Sequence, residues 1–158
     1  MKIFLLILLV IVIMLIAKGI ASQYKEKNTF YVSIMQFLNS YELNIGFKKD
    51  KIKDLVEKIE AKGQAKILFE EYKGYLTDET ALKFEDVKVI TEEEKNFLIE
   101  MFTRLGTNDY SNEMTQLKVF KSYIQDKINI SDKESNKNYP LIMKLSFLFS
   151  LGLALVLI

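Results

Sequence analysis

An uncharged apolar run stands at each end of this chain. No charged residue occurs within 3–17 or within 145–158, while all 21 acidic residues lie within 26–134. The middle has the composition of an ordinary soluble domain, and the chain length suits one domain. The sequence therefore predicts a single soluble domain held between two segments that can enter a membrane.

The N-terminal run has two interpretations. As a helix, residues 3–17 span about 22 Å, which is short for a bilayer core unless Lys18 extends back toward the headgroups. Residues 1–21 then form a retained transmembrane helix. Alternatively Lys2 is the basic region of a signal peptide, and Gly19-Ile20-Ala21 is a small-residue cleavage site. The residues leave both alternatives open.

The C-terminal run predicts a transmembrane helix over 141–158. It spans about 27 Å if Lys144 reaches the headgroups. Three small residues recur every fourth position within it, namely Ser146, Ser150 and Ala154. Small residues at this spacing let two membrane helices approach closely, so these three positions are predicted to pack against another membrane helix.

Lysines flank the two runs unevenly. The inner sides carry Lys18, Lys25, Lys27, Lys133, Lys137 and Lys144, whereas the outer ends offer Lys2 and the terminal amine. Basic residues favour the cytoplasmic side of a membrane. We therefore expect a cytoplasmic domain over 22–140.

Composition excludes several classes of function. With Lys2, Lys18 and Lys144 set aside, 19 basic residues remain against 21 acidic ones, a net charge of about −2 that argues against nucleic-acid binding. The chain has no Cys, His or Trp, which excludes thiolate and imidazole metal ligands, cysteine nucleophiles and the usual neutral-pH proton shuttle. A pair of carboxylates acting as acid and base, or a Mg²⁺ site of oxygen ligands, stays open. No EF-hand or Walker spacing occurs. We predict no catalytic residue, no metal and no cofactor.

Apolar residues in the middle return at three- and four-residue intervals, which predicts helices throughout and an all-α antiparallel helical bundle. A short helical segment is predicted to hold Leu82, Phe84 and Val87, although residues 83–90, KFEDVKVI, alternate well enough to be a strand or loop instead. Pro140 predicts a kink or break before the C-terminal run. The predicted apolar stripes are Phe30-Ile34-Phe37-Tyr41-Ile45, Ile52-Leu55-Val56-Ile59, Leu68-Phe69-Tyr72-Tyr75-Leu76, Phe97-Leu98-Met101-Phe102-Leu105 and Tyr110-Met114-Leu117-Phe120-Ile124-Ile128.

Two local signals set helix ends. Thr91 followed by Glu94 is a capping-box pair that begins the fourth stripe. Between the fourth and fifth stripes, Gly106 suits the left-handed residue that closes a helix, and Thr107 or Asn108 can cap the next helix. Asp109 then falls in the first turn, where a negative charge is favourable. The stretch LGTNDYSNEMTQ is therefore predicted to be a structural corner.

The arrangement of these features resembles the stage III sporulation protein AB family. That family carries a Leu-Gly pair, an Asp three residues after the Gly and a Gln four further on, positions that correspond here to Leu105, Gly106, Asp109 and Glu113. Glu113 departs from the family Gln, and Ser146 stands where a family glycine would be. Residues 40–47, SYELNIGF, resemble the family's early acidic helix. Between residues 50 and 89 the resemblance is loose, with no family Pro-Leu pair or tryptophan.

The resemblance implies a sporulation membrane protein whose bundle is similar to the cytoplasmic domain of the type II secretion F protein. It implies a non-catalytic platform in the channel between mother cell and forespore. The implied partners are a secretion-type ATPase of the same operon, other channel membrane proteins and the membrane itself, and a homo-oligomer stays open. Two alternatives remain, a general type II secretion or type IV pilus platform and an exported domain cleaved after Ala21 and anchored by its C-terminal helix.

Overall fold

The three- and four-residue spacing of apolar side chains yields five helices and, in the part of the chain that is described, no strand. The computed structural model describes residues 2–44, 49–78 and 80–157. The prediction of an all-α protein with two long apolar helices is confirmed. The helices are α1 Lys2–Glu42, α2 Lys49–Glu57, α3 Gly63–Asp78, α4 Glu92–Arg104 and α5 Tyr110–Leu157.

The chain divides into two compact units. One, which we call the bundle, is Thr29–Asn129, and the other, which we call the hairpin, consists of Met1–Asn28 and Ile130–Ile158. The helices α1 and α5 each contribute one segment to both units. Where the membrane boundaries fall on these two helices, and hence the division at residues 21 and 140, stays a prediction.

The core of the bundle is aromatic and centres on Phe102 of α4. Its ring centroid lies 4.5 Å from that of Tyr72 and 5.6 Å from that of Phe37, and the rings of Phe69 and Phe84 lie at 6.2 and 5.9 Å. All five side chains are buried. Tilted and edge-on pairs at these distances add to the gain from burying their area. Aromatic residues from α1, α3, α4 and the loop before α4 therefore share one core.

Most of the predicted stripes point into this core. The fully buried members include Ile34, Phe37 and Tyr41 on α1 and Leu98, Met101 and Leu105 at the fourth stripe. Leu55, Ile59, Tyr75, Leu76, Phe97 and Ile128 are partly buried against the core. Tyr110 is an exception, because it is 65 % exposed, and Ile45 lies outside the described residues.

The capping box that begins α4 forms as predicted. The Thr91 hydroxyl accepts a hydrogen bond from the Glu94 backbone N–H, and the Glu94 carboxylate accepts one from the Thr91 N–H at 2.9 Å. These contacts satisfy donors that a helix N-terminus otherwise leaves free. Helix α4 therefore has a well-defined start.

Residues 80–91, between α3 and α4, form a loop, one of the two alternatives, so the predicted short helix is wrong. Its apolar side chains Leu82, Phe84 and Val87 are buried. The carboxylate of Glu71 accepts hydrogen bonds from the backbone N–H groups of Lys83 and Phe84 at 2.6 and 2.8 Å. Phe84 has a φ of 50°, a costly conformation for a non-glycine residue. Burial of its ring in the core and the Glu71 contact hold it there.

In the hairpin, the segments of α1 and α5 run antiparallel. The Asn28 amide donates a hydrogen bond to the Ser131 hydroxyl at 3.3 Å, and the Lys25 ammonium lies 4.0 Å from the centre of the Tyr139 ring. Small side chains are buried on both segments, including Ala17 and Ala21 on α1 and Ser131 and Ser135 on α5. Small residues allow the two backbones to approach closely.

Two helices are long and apolar enough, by length and composition alone, to cross a membrane, within Leu6–Glu42 and Tyr110–Val156. Their large apolar side chains remain exposed in the hairpin, as for Phe4 at 70 % and Leu148 at 63 %. The break expected at Pro140 is wrong, because Pro140 lies inside the continuous helix α5. Proline has a helical φ, but it lacks an N–H and its ring crowds the carbonyl four residues earlier, so a helix that passes through it loses one hydrogen bond. The kink that was the other expectation stays a prediction.

Candidate functional site

The corner between α4 and α5 brings the predicted family-motif residues together. Helix α4 ends at Arg104, and its C-cap residue Leu105 is buried and donates its backbone N–H to the Met101 carbonyl at 3.2 Å. Gly106 follows with a φ of +76°, the left-handed conformation expected of it. A Cβ at Gly106 would lie 2.7 Å from the Ile52 Cδ1 atom of α2. Glycine therefore suits this position for both its conformation and its size.

The carboxylate of Glu113 is the centre of the corner. Its Oε1 accepts hydrogen bonds from the Tyr41 hydroxyl at 2.7 Å and from the Gly106 N–H at 2.9 Å. Its Oε2 lies 3.4 Å from both the backbone nitrogen and the side-chain amide nitrogen of Asn108. Glu113 is 4 % exposed and lies in the first turn of α5. Four donors and the positive end of a helix surround it, an arrangement that favours a carboxylate.

Tyr41 links this carboxylate to α1. Burial and the hydrogen bond to Glu113 raise the pKa of the Tyr41 hydroxyl well above its usual value. Tyr41 therefore stays protonated and remains a donor at neutral pH. The bond joins the last turn of α1 to the first turn of α5.

Asp109 caps α5, which corrects the predicted cap. Its Oδ1 accepts a hydrogen bond from the Asn112 N–H at 3.1 Å, and α5 begins one residue later at Tyr110. The Thr107 hydroxyl instead donates to the Arg104 carbonyl, and the Asn108 amide is directed toward Glu113 and Gln116. Aspartate is as good an N-cap as asparagine, so Asp109 can cap while Asn108 contacts the carboxylate.

Two buried carboxylates, which apolar periodicity did not predict, extend the core stripes. Glu113 precedes Leu117 by four residues, and Glu94 precedes Leu98 by four, so each occupies a core-facing position on its helix. The spacing alone could have revealed both. The fifth stripe therefore begins with Glu113 rather than with Tyr110.

Glu94 connects three helices. Its Oε1 accepts a hydrogen bond from the Lys127 ammonium of α5 at 2.8 Å. Its Oε2 accepts the hydrogen bond from the Thr91 N–H in the capping box of α4. Burial opposes the charge on Lys127, but the bond to Glu94 outweighs this and raises the pKa of Lys127. Burial and the nearby Glu94 carboxylate raise the pKa of Tyr31 on α1. This cluster holds charges in the core in a paired form.

The three small residues predicted to pack on the C-terminal helix are buried to different degrees. Ser150 is 1 % exposed, and its hydroxyl donates to the Phe147 carbonyl at 2.8 Å. Ser146 and Ala154 are half-buried. Whether these residues pack against a second protein stays a prediction.

The described residues contain no group of three or more His, Cys, Asp or Glu side chains that could hold a metal ion. The donors around Glu113 come from Tyr41, Gly106 and Asn108, so this carboxylate is occupied by hydrogen bonds. The hydrogen bonds of the corner hold the end of α1, the turn after α4 and the start of α5 in position.

We expect Gly106→Val to destabilise the bundle by about 1–3 kcal/mol, because a β-branched residue is strained at positive φ. Asp109→Asn should cost under about 1 kcal/mol, since asparagine also caps and only the helix-end charge interaction weakens. Urea unfolding of a fragment covering residues 22–139 measures both. A sporulation assay accompanies it, and if Asp109→Asn keeps full stability yet abolishes spore formation, the corner is a contact site rather than a structural one.

The fold and the site define a class of protein, an all-α bundle with two helices long and apolar enough for a membrane and a hydrogen-bonded corner around a buried carboxylate. The chain belongs to the stage III sporulation protein AB family, whose model matches residues 2–158. The protein is therefore a sporulation protein, from a structural family that is not a known enzyme family. No curated protein and no solved structure matches the chain.

Proposed function

We propose that this protein is a non-catalytic platform of the channel between mother cell and forespore and that it positions a secretion-type ATPase. The observation that carries the proposal is the family match over residues 2–158. The division into a bundle and an apolar hairpin supports it, because a platform needs a membrane anchor and a folded contact surface.

The surface of the bundle supports a binding role through charged side chains. Its apolar stripes are used in the core, while exposed pairs such as Lys66–Glu70 and Glu100–Arg104 lie on the outside. Contacts through exposed charges give specificity and fast association, and salt weakens them. The ATPase contact should therefore be polar and salt-sensitive.

Co-purification tests this role. We expect the full-length protein to retain the ATPase encoded beside it at about 50 mM salt and to lose most of it at about 0.5 M, because the Debye length falls severalfold over this range. Immunoblotting of the eluates for the ATPase measures the effect. Absence of the ATPase at both salt concentrations would remove the main support for the platform role.

We also propose that both apolar helices are retained in the mother-cell membrane around the forespore and that the bundle is cytoplasmic. Two apolar helices suggest membrane association, and the lysines on the inner sides of the apolar runs support the orientation.

Cysteine labelling tests this topology. The chain has no native cysteine, so a cysteine at Lys73, an exposed residue of α3, is a unique probe. A membrane-impermeant maleimide should leave it unlabelled in intact cells and label it after permeabilisation. Labelling of intact cells, together with a mature N-terminus at Ser22, would favour the exported domain instead.

A further inference from the structure

Four lysines of the hairpin come in two pairs with the same spacing. Lys18 and Lys25 lie seven residues apart on α1, and Lys137 and Lys144 lie seven residues apart on α5. Seven residues are nearly two helical turns, so each pair shares one face of its helix and spans about 10 Å along the axis. All four side chains are exposed. Each helix of the hairpin therefore presents two cations on one face.

The two pairs lie at the same level of the hairpin. Two contacts described above set the register of the antiparallel segments, Asn28 with Ser131 and Lys25 with Tyr139. Counting along both helices from these two contacts places Lys18 level with residues 141–146, an interval that contains Lys144. The same count places Lys25 level with residues 134–139, an interval that contains Lys137. The four lysines therefore form one band around the hairpin.

This band, which we call the belt, consists of residues 18–25 and 137–144 and contains no acidic residue. Within the part of the chain that the structure describes, Lys18, Lys137 and Lys144 form no ion pair with a carboxylate. The positive charge of these three side chains is therefore not neutralised by the fold, and an anion brought to the belt meets several cations at once.

The belt directly adjoins the exposed apolar surface of the hairpin. Ile16 and Leu145, next to the innermost lysine of each pair, are 60 % and 56 % exposed, and residues 3–17 carry no charge. The belt also holds Tyr24 and Tyr139, and tyrosine is enriched where a membrane meets water. Apolar surface thus gives way to tyrosines and lysines over a few residues, as hydrocarbon gives way to phosphate in a bilayer.

We propose that the belt binds the headgroups of anionic phospholipids, with lysine ammonium groups paired to phosphodiester oxygens. The inference rests on the proposed retention of both apolar helices in the membrane, and it names the class of lipid that surrounds them. The belt is about 10 Å tall, comparable with the headgroup region of one leaflet, which is about 5–8 Å thick. Clustered basic side chains beside a membrane helix attract anionic lipids.

Electron paramagnetic resonance of spin-labelled lipids tests the proposal on the full-length protein in phosphatidylcholine vesicles. Lipids that contact the hairpin give a motionally restricted signal, whose fraction is measured for labelled phosphatidylglycerol and for labelled phosphatidylcholine. At about 50 mM salt we expect association of phosphatidylglycerol to be favoured about fivefold, the factor that corresponds to about 1 kcal/mol for one lysine near anionic lipid. At about 0.5 M salt the preference should fall below about twofold because salt screens the charges.

Paired variants separate the belt from the net charge of the protein. Lys18→Gln combined with Lys144→Gln should lower the preference below about twofold, whereas Lys18→Arg combined with Lys144→Arg should retain it, because arginine keeps the charge. Lys62→Gln combined with Lys88→Gln changes the net charge equally at exposed residues of the bundle and should have no effect. An unchanged restricted fraction of phosphatidylcholine shows that each variant is inserted.

Equal restriction of the two lipids, or a preference that survives Lys18→Gln combined with Lys144→Gln, overturns the proposal. Equal restriction is also the result expected if the belt pairs with an acidic protein instead. In both cases the membrane placement stands, because restricted lipid is still seen. If neither lipid is restricted, the hairpin does not contact the bilayer, and the belt and the membrane placement fail together.

Discussion

Replacing Glu113 by alanine should lower the free energy of unfolding of the bundle by about 3 kcal/mol. The substitution removes the acceptor of the Tyr41 hydroxyl and the Gly106 N–H, which it hydrogen-bonds at 2.7 and 2.9 Å. Both donors lie at a corner where Glu113 itself is 4 % exposed, so water replaces the lost acceptor poorly. Each buried donor left without a partner costs its desolvation free energy.

Urea unfolding of the fragment 22–139 measures this loss, with two comparisons. Glu113→Gln retains one carbonyl oxygen for Tyr41 and Gly106 but places an amide N–H₂ against Asn108, so the expected loss is under about 1.5 kcal/mol. Glu100→Ala removes an exposed carboxylate whose partner is Arg104, with an expected loss of at most about 1 kcal/mol. Equal losses for Glu113→Ala and Glu100→Ala would show that the buried carboxylate does not hold the corner.

Phe102→Ala should be the most damaging single substitution in the bundle, with a loss of about 4 kcal/mol. The ring of Phe102 lies within 4.5–6.2 Å of four other aromatic rings, measured between centroids. Its removal leaves a cavity bounded by large, rigid side chains, and such side chains cannot collapse into the space. The cost therefore includes both lost burial and an unfilled cavity.

Phe97→Ala on the same helix is the matched control. Phe97 is only partly buried, and its main aromatic contact is a stacked Tyr123 ring at 3.7 Å. We expect a loss of about 1–2 kcal/mol, since solvent and neighbouring side chains can fill part of the space. Urea midpoints and slopes for both variants give the comparison, and a Phe97→Ala loss as large as that of Phe102→Ala would contradict a core centred on Phe102.

Apolar periodicity predicted the helices of the bundle well because most of these segments bury one apolar face in the core. The capping box at Thr91 and Glu94 was equally predictable, since it depends on residues only three positions apart. The left-handed Gly106 followed from a similar local rule. Predictions of this kind succeed because their physical cause lies within one or two turns of chain.

Features that depend on distant residues were not predictable. The loop at Phe84 has a buried ring and a positive φ because Glu71 and the aromatic core hold it, and its local alternation is equally compatible with a strand. The partners of the Glu113 and Glu94 carboxylates include Tyr41 and Lys127, on other helices. A stripe position shows that such a carboxylate is buried, but only the tertiary structure shows which donors satisfy it.

The hydrogen bond between Tyr41 and Glu113 joins residues 72 positions apart. Glu113, the partner of Tyr41 on α1, is therefore synthesised late. At a translation rate of about 5–20 residues per second, residue 113 leaves the ribosome roughly 4–14 s after residue 41. During that interval Tyr41 lacks its hydrogen-bond partner on α5. Helices α3 and α4 are synthesised earlier than α5, and their aromatic residues Phe69, Tyr72 and Phe102 can already cover Phe37 on α1. The order of helices along the chain thus limits how long an aggregation-prone surface is exposed in the nascent protein.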